Sequence, residues 1–298
     1  FNTILCGDVP PHFREMLVTS RLILIPKSDG ESFRPIAIGS CLLRFLCSTA
    51  LRSVSDKVAN TFDEYQFGVG VPSGVEQVHH IASMILAENP DYVLVSADSA
   101  NAFGSFDRCS IIGPTIDSFP ELFHLIDLIY LSKPSAQLYE TRSSPDACPE
   151  VRCCPSSVGS RQGCVFGSFL FSLALQPLLE DNPFTVPMPG MVSESTCLCL
   201  AYADDISFIG SPENTAKAFA WHAENYTQRL QGRLRLTKSH VLCPHHVADT
   251  SPVTFALQEA GIPDNTIPLH TDGALLVGSP LGTPAYLARV VRQALQAI

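Results

Sequence analysis

Two short segments place carboxylates at the ends of strand-like apolar runs. In the segment Cys197–Gly210, apolar residues lead into Asp204 and Asp205, and an alternating stretch leads out. A second apolar run, Tyr92–Ala97, ends directly before Asp98. Carboxylates on rigid strand ends suit hard divalent cations such as Mg²⁺. If the two segments lie side by side in one sheet, Asp98 and Asp204 would hold two ions about 3.5–4 Å apart, as nucleotidyl transfer requires.

The alternation around the paired carboxylates predicts a β-hairpin with a tight turn at Ala203 and Asp204. Successive strand side chains point to opposite faces, so Asp204 and Asp205 are expected on opposite faces. Taken alone, each carboxylate has a purely structural explanation, because Asp is common in turns and before helices. The case for catalysis therefore depends on the other segments.

Three residues are candidates for binding a nucleotide. Lys27 and Arg34 flank the turn Ser28–Glu31, and two cations at such a hairpin could clamp a triphosphate. Phe103 follows Asp98 by five residues, where its ring could pack under the sugar and clash with a 2′-hydroxyl. The alternatives are a solvated hairpin for the two cations and a core position for the phenylalanine.

A glycine-bearing segment, Gly159–Cys164, precedes the apolar helix predicted over Phe169–Leu179. Glycine allows a backbone to approach a ligand closely, and a helix N-terminus favours anions. Gln162 and Arg161 could therefore meet the templating base or the nucleotide. The alternative is an ordinary loop that enters a core helix.

Apolar periodicity predicts several further helices, over 41–58, 74–88, 122–131, 211–230 and 285–297. The fourth is expected to turn Trp221 inward. Between the last two lies a predicted loop and strand, Gly232–Leu242, that contains Lys238. A lysine facing the cleft could protonate a pyrophosphate leaving group, whereas a surface lysine is the simpler interpretation.

Composition sets broader limits. With 298 residues, of which 46% are hydrophobic, the chain can bury a large core in one large domain or two lobes. A net charge of −10 argues weakly against nucleic-acid binding and suggests that further basic segments lie elsewhere. The chain starts without Met and ends within a predicted helix, as expected of a segment of a longer polypeptide.

Cysteine usage and hydropathy indicate an intracellular protein without a membrane span. The 11 cysteines lack the paired spacing of a zinc site and are expected to be reduced. The longest apolar region, Val165–Leu179, is interrupted by polar residues and is shorter than the ~20 residues of a membrane helix.

Taken in their order along the chain, the motifs resemble those of the reverse transcriptase domain of non-LTR retrotransposons, and the resemblance covers nearly the whole chain. The Tyr-Ala-Asp-Asp form and the late glycine-bearing hairpin are most similar to LINE-type and R2-type enzymes. Two stretches, Gln162–Val165 and Gly74–Gln77, are similar to site-specific elements such as those in trypanosomatid spliced-leader genes. The segments that carry the resemblance are 25–27, 34–36, 98–103, 161–163, 202–205, 238–239 and 276–282.

The resemblance implies an α+β right-hand polymerase fold, with an antiparallel palm sheet packed on helices. Fingers are expected over 1–90 and a palm over 91–298, with a finger insertion around 104–160. A primer-grip hairpin is expected near 274–284, and the thumb is expected to be truncated or absent.

The resemblance also assigns roles residue by residue. The metal ligands would be Asp98, the Ser99 carbonyl, Asp204 and Asp205. The three aspartates would be catalytic together with Lys238. Substrate would meet Lys27, Arg34, Phe103, Arg161, Gln162 and Gly163. The primer grip would contain Gly278, Leu281 and Gly282.

Cofactors and partners follow from the same resemblance. They are two Mg²⁺ ions (with Mn²⁺ as the alternative), an RNA template, a DNA primer, dNTPs and further domains of the parent polypeptide. The location implied is the nucleus.

Two alternatives stay open. One is a group II intron-type reverse transcriptase, and the other is a catalytically inactive, nucleic-acid-binding remnant. Ala97 before the first aspartate, Gly167-Ser168 in place of a frequent proline and a short 232–238 stretch depart from the family pattern. All three acidic positions are intact, which argues against loss of catalysis.

Overall fold

The structure, a computed structural model, describes residues 2–6, 8–27, 32–62, 64–141, 148–190, 192–243 and 250–296. The turn predicted at Ser28–Glu31 lies outside these residues. The chain forms two compact units, one of Phe1–Lys57 with Asn101–Ala174 and the other of Val58–Ala100 with Leu175–Ile298. The predicted division into fingers and palm at residue 90 is a functional one and stays a prediction.

Twelve α-helices are present in the described part of the chain. In chain order they are α1 (Asn2–Leu5), α2 (Pro11–Val18), α3 (Cys41–Ser53), α4 (Ser55–Phe62), α5 (Gly74–Glu88), α6 (Ala102–Ser105), α7 (Ile112–Ser118), α8 (Phe123–Ile126), α9 (Gly167–Glu180), α10 (Pro212–Leu230), α11 (Ser251–Glu259) and α12 (Pro284–Gln296). Short 3₁₀ turns span Arg108–Ile111 and Pro120–Leu122, and a π-helical turn spans Asp127–Leu131.

Twelve strands accompany these helices in the same residues. They are β1 (Ser20–Pro26), β2 (Phe33–Gly39), β3 (Val93–Asp98), β4 (Ser135–Thr141), β5 (Glu150–Ser156), β6 (Thr185–Val186), β7 (Cys197–Tyr202), β8 (Asp205–Gly210), β9 (His240–Leu242), β10 (Leu269–His270), β11 (Gly273–Leu276) and β12 (Ser279–Gly282).

The first unit is built on a four-stranded sheet in the order β2-β1-β4-β5. The pairs β1–β2 and β4–β5 are antiparallel, whereas β1 and β4 run parallel. Several apolar side chains of β1 and β2 remain exposed, including Leu24 and Phe33.

The second unit contains a six-stranded sheet in the order β10-β9-β3-β8-β7-β6. Its central strands β3, β7 and β8 are antiparallel and buried almost throughout. Ile209 packs in the core cluster of α5, whereas Phe208 contacts His222 of α10 at a ring distance of 5.7 Å. Consecutive strand residues face opposite sides, so the two helices cover both faces. This double cover explains why the strands read as continuous apolar runs.

The α+β class predicted from the sequence is confirmed, and most predicted elements are present with small shifts at their ends. Two predicted helices are interrupted. The helix over 41–58 breaks at Val54 into α3 and α4, and the one over 122–131 is divided among a 3₁₀ turn, α8 and the π turn. Trp221, which was predicted to face inward, is only half-buried, whereas Phe219, His222 and Tyr226 are among the buried residues of α10.

The last hairpin, β11–β12, pairs Gly273 with Gly282 and turns at Val277 and Gly278. None of the helices in the described part of the chain combines the length and apolar character needed to cross a membrane.

Candidate active site

Three carboxylates meet at one end of the second unit's sheet. In the β3–β8 ladder, Asp98 lies directly opposite Asp205. In the β7–β8 hairpin, Tyr202 pairs with the same Asp205, so Ala203 and Asp204 form a two-residue turn. Ala203 has a φ of +55°, as a tight hairpin turn requires. The predicted hairpin is therefore present, and it brings Asp204 and Asp205 to the strand end that carries Asp98.

The segment that precedes α5 fixes this turn in place. The N–H of Phe67 donates to the Ala201 carbonyl at 2.7 Å, and the Ala201 N–H donates to the Tyr65 carbonyl at 2.9 Å. Gly68 then passes so close that a Cβ at this position would lie 2.5 Å from the Ala203 nitrogen. A glycine is required here because of close backbone approach.

Negative charge is concentrated at the site. Burial, together with the neighbouring carboxylates of Asp204 and Asp98, raises the pKa of Asp205 from 3.8 to about 6. Asp205 nevertheless keeps an exposed surface. A cation at this place would relieve the repulsion.

The loop before β9 holds Asp98 at three points. Ser239, which is fully buried, accepts a hydrogen bond from the Asp98 N–H at its Oγ, at 3.0 Å. The Arg235 N–H donates to the Asp98 carbonyl at 2.8 Å, and Arg235 Nε donates to Asp98 Oδ1 at 2.6 Å. Ser239 Oγ donates in turn to the Arg235 carbonyl at 3.0 Å. Both the backbone and the carboxylate of Asp98 are thus tied to one loop.

The donor set fits a divalent cation in its chemistry, since carboxylate and carbonyl oxygens are the ligands that Mg²⁺ prefers. Among the described residues, no group of three or more His, Cys, Asp or Glu side chains is already placed to hold a metal ion. The two-ion arrangement and the Ser99 carbonyl ligand therefore stay predictions.

In the first unit, five of the predicted substrate-binding residues line one groove of about 270 Å³. They are Arg34, Phe103, Arg161, Gln162 and Gly163. Arg34 is exposed on β2, and the Phe103 ring packs on Phe171 with centroids 5.1 Å apart. The groove thus joins a cation, an aromatic ring and a glycine-bearing loop.

Backbone contacts shape this groove. The Ala37 N–H of β2 donates to the Gln162 carbonyl at 2.7 Å, which docks the loop on the sheet. Gly163 has a φ of +94°, which favours glycine. At the other side, the Ser160 N–H donates to the Phe103 carbonyl at 2.6 Å.

Arg161 is 5% exposed, and its contacts are internal. Its Nη1 donates to the Val18 carbonyl at 2.7 Å, and its guanidinium lies over the Tyr130 ring, 5.3 Å from the centroid. These contacts show Arg161 as a packing residue of the first unit. Its predicted role toward substrate stays a prediction.

Comparison with known proteins identifies the family. Residues 25–259 match the family described as reverse transcriptase (RNA-dependent DNA polymerase). The matched range contains the carboxylates, the groove residues and the loop at Arg235.

The chain belongs to the reverse transcriptase family.

A curated relative agrees with this assignment. The Trypanosoma brucei gambiense "Retrotransposable element SLACS 132 kDa protein" is 25% identical over 227 residues, which cover 74% of this chain and 17% of the relative. The reverse transcriptase chain therefore spans about a sixth of the length of that relative.

Solved structures show the same fold at low sequence identity. Apo telomerase from Candida tropicalis matches with a TM-score of 0.56 at 11% identity, over 92% of this chain and 48% of that one. A form truncated from its C-terminal domain matches with a TM-score of 0.52 at 11% identity, over 78% and 51%. The predicted right-hand polymerase fold is confirmed.

The remaining predicted residues of the reverse transcriptase chain are Lys238, Lys27 and those of the β11–β12 hairpin. Lys238 is exposed, three residues after Arg235. Lys27 is half-buried, and its backbone N–H donates to Ser32 at 2.8 Å. In the β11–β12 hairpin, Gly278 has a φ of +81°, and Leu281 is buried.

Beside Leu281, Gly282 passes close to another backbone. A Cβ at Gly282 would come within 2.4 Å of the Asp272 carbonyl oxygen. The predicted roles of Lys238, Lys27 and the hairpin residues toward substrate and primer stay predictions.

Three residues that shape the catalytic end were not singled out from the sequence. Arg235 and Ser239 contact Asp98 across 137 and 141 positions of the chain. Gly68 lies against the turn at Ala203, which is also far from it in sequence. The one local sequence signal for these residues was the Lys238-Ser239 pair, in which a role was predicted for the lysine alone.

Proposed function

We propose that this chain is the RNA-directed DNA polymerase domain of a non-LTR retrotransposon, and that it uses two divalent cations for nucleotidyl transfer. The observation that carries the proposal is the cross-strand pair of Asp98 and Asp205 beside the Asp204 turn. The family match supports the polymerase activity. The retrotransposable-element relative supports a retrotransposon enzyme over a group II intron-type one.

Asp98, Asp204, Asp205 and the Ser99 carbonyl are the groups that would hold the cations. Two Mg²⁺ ions, when bound, would lower the pKa of the primer 3′-hydroxyl and stabilise charge on the attacking and leaving oxygens. Asp98 is positioned for this task by Ser239 and Arg235, which fix its backbone. Lys238, exposed on the same loop, would donate a proton to the departing pyrophosphate.

Primer extension on poly(rA)/oligo(dT) with Mg²⁺ tests the assignment, with Asp204→Asn as the site variant. The exposed Asp91 is outside the site, so Asp91→Asn is the matched control. Loss of one metal-binding carboxylate should remove several kcal/mol of transition-state stabilisation, which is at least about a hundredfold in rate. Equal extension by the wild type and Asp204→Asn would contradict the site, and no extension by the folded wild type would favour the inactive remnant.

The groove of the first unit would receive the incoming nucleotide. Arg34, at its rim, offers a bidentate donor for the triphosphate, and Gln162 would meet the template and nucleotide region. Phe103 is half-buried and braced by Phe171, which holds the ring that would exclude a 2′-hydroxyl. Lys27 would assist in phosphate binding.

Sugar selection can be measured directly. Phe103→Val should raise the use of ribonucleotides relative to deoxynucleotides by about tenfold or more, because a smaller side chain admits the extra hydroxyl. Phe45, which is exposed on α3, provides the control Phe45→Val. An unchanged ribonucleotide preference in Phe103→Val would remove Phe103 from the sugar site.

The finer partners belong to the same proposal. They are an RNA template, a DNA primer gripped by the β11–β12 hairpin, dNTPs and further domains of a longer parent protein. The relative is far longer than this chain, which supports such domains. The nucleus is the proposed location, and the functional division into fingers and palm at residue 90 is proposed with it.

A further inference from the structure

Arg235 contacts the two oxygen atoms that a cation would be expected to share at the first catalytic strand. Its Nε donates to Asp98 Oδ1 at 2.6 Å, and its Nη2 lies 3.4 Å from the Ser99 carbonyl oxygen. The sequence predicted that same carboxylate and that same carbonyl as metal ligands. The positively charged guanidinium of Arg235 therefore contacts two oxygens of the proposed metal site.

The backbone that carries this guanidinium is pinned independently of it. The Ala100 N–H donates to the Arg233 carbonyl at 2.8 Å, and the N–H groups of Lys238 and Ser239 donate to the Arg235 carbonyl at 2.9 and 2.8 Å. These bonds fix the loop without using the guanidinium. The Arg235 side chain can then leave Asp98 while its backbone stays in place.

The ion pair is also accessible. The side chains of Arg235 and Asp98 are 37% and 30% exposed, so solvent reaches both partners. An ion pair of this kind is modest in strength, and a divalent cation carries twice the charge of the guanidinium. The guanidinium and the divalent cation would repel each other, and both would be held by the Asp98 carboxylate.

We propose that Arg235 is an internal cation that competes with the divalent ion for Asp98, so that metal loading displaces its guanidinium. This inference rests on the proposed metal site at Asp98. In the unloaded state Arg235 neutralises Asp98, which limits the repulsion among the three carboxylates. The competition lowers the affinity for a bare ion. An ion that arrives with a triphosphate is favoured, because the phosphates offer the released guanidinium a new partner.

The test is Mn²⁺ binding, measured by electron paramagnetic resonance on the protein without nucleotide. The variants are Arg235→Gln, Asp98→Asn and the control Arg233→Gln. Arg233 is exposed on the same loop, and its substitution removes the same charge without removing a contact to Asp98. Arg235→Gln should bind Mn²⁺ about tenfold more tightly than the wild type, which corresponds to about 1.4 kcal/mol. Arg233→Gln should change the affinity by about twofold or less, the effect of general charge alone.

Two further arms complete the experiment. Saturating Mn²⁺ should raise the thermal stability of both proteins, because it binds the folded state. The gain should be larger for Arg235→Gln than for the wild type, which gives up the Arg235 pair when the ion binds. Arg235→Lys, which keeps the charge but not the planar fork, should fall between the wild type and Arg235→Gln in Mn²⁺ affinity.

Unchanged or weaker Mn²⁺ binding by Arg235→Gln would overturn the competition and identify Arg235 as a residue that only positions Asp98. If Asp98→Asn binds Mn²⁺ as tightly as the wild type does, the metal site itself is misassigned. The two failures are thus distinguished by whether Mn²⁺ binding depends on Asp98.

Discussion

Asp98 and Asp205 lie directly opposite each other where β3 ends and β8 begins, so two carboxylates distant in sequence form one cross-strand pair. Like charges at such positions destabilise a sheet. With Asp204 in the adjoining turn, the pair raises the pKa of Asp205 in addition to the effect of burial. The fold therefore tolerates repulsion at the place where the reverse transcriptase would need cations.

This repulsion predicts how stability depends on pH. The pKa of Asp205 is raised from 3.8 to about 6, so between these values the folded state holds a proton that the unfolded chain has released. The contribution of Asp205 to stability is therefore full below about pH 4 and is lost as the pH rises through about 6. Asp205→Asn, which stays neutral, should have a larger free energy of unfolding than the wild type at about pH 8.

The full shift corresponds to about 3 kcal/mol, and screening of a partly exposed carboxylate reduces the expected gain to about 1 kcal/mol. Urea unfolding with a metal chelator measures it, and the advantage should vanish below about pH 4. Asp91→Asn, at an exposed position outside the site, is the control. An Asp205→Asn variant that is less stable than the wild type at about pH 8 would contradict the proposed repulsion.

Ser239 provides the second prediction. Its hydroxyl accepts a hydrogen bond from the Asp98 N–H and donates one to the Arg235 carbonyl. Ser239→Ala would leave a strand-end N–H without its partner, at a cost of about 1–3 kcal/mol in unfolding free energy. Polymerase activity should fall as well, since the backbone of Asp98 loses an anchor.

The control for Ser239 is Ser53→Ala on α3, whose hydroxyl donates to the Ala50 carbonyl of its own helix at 2.7 Å. Denaturant unfolding and primer extension are measured on both variants. Equal losses in the two would remove any special role for Ser239.

Gly68 provides a steric test of the catalytic turn. A Cβ at residue 68 would lie 2.5 Å from the Ala203 nitrogen, closer than any real contact, so Gly68→Ala must displace the turn that carries Asp204. The expected cost is about 1–3 kcal/mol, together with reduced extension activity. Gly113→Ala is the control, because a Cβ there meets nothing within 4 Å and lies in helix α7. That control should gain up to about 1 kcal/mol, and a Gly68→Ala variant as stable and active as the wild type would sink the argument.

The parts that the sequence predicted well depend on local patterns. The turn at Ala203 and Asp204 follows from alternation within a few residues on either side, and the α5 helix follows from its apolar spacing. Neither requires knowledge of distant partners. The order of motifs then supplied the fold, which the alternation alone does not determine.

What could not be predicted depends on pairing across long distances in sequence. Arg161 stood beside glycines and was predicted to meet substrate, but its packing contact was not foreseen, in which the guanidinium donates to the Val18 carbonyl, 143 positions away. Arg235 had no local feature other than its charge. Whether a buried arginine serves structure or substrate depends on which carbonyls and carboxylates the fold brings to it, and a single sequence does not contain that information.

Arg108 illustrates the same limit and gives the last prediction. Its guanidinium makes five hydrogen bonds, to Gly159, Tyr130, Val158 and both the carbonyl and hydroxyl of Ser156. No ion pair to a carboxylate is found for it among the described residues. Burial lowers its pKa to about 10, so the charge is retained at neutral pH.

Arg108→Lys should therefore destabilise the reverse transcriptase chain by about 3 kcal/mol or more, although the charge is conserved. An ammonium offers three donors from one atom and cannot span carbonyls that a planar fork reaches, so buried acceptors lose their partners. Arg152→Lys is the control, since Arg152 is exposed and pairs with the exposed Glu150 at 3.2 Å. Because Arg108 holds the segment that ends at Gly159, next to the Phe103 backbone, its loss should also loosen the nucleotide groove. A rise in the KM for dNTP larger than the fall in kcat would separate this effect from simple loss of folded protein. Equal unfolding free energies for Arg108→Lys and Arg152→Lys would show that charge alone, and not the fork, is what the site requires.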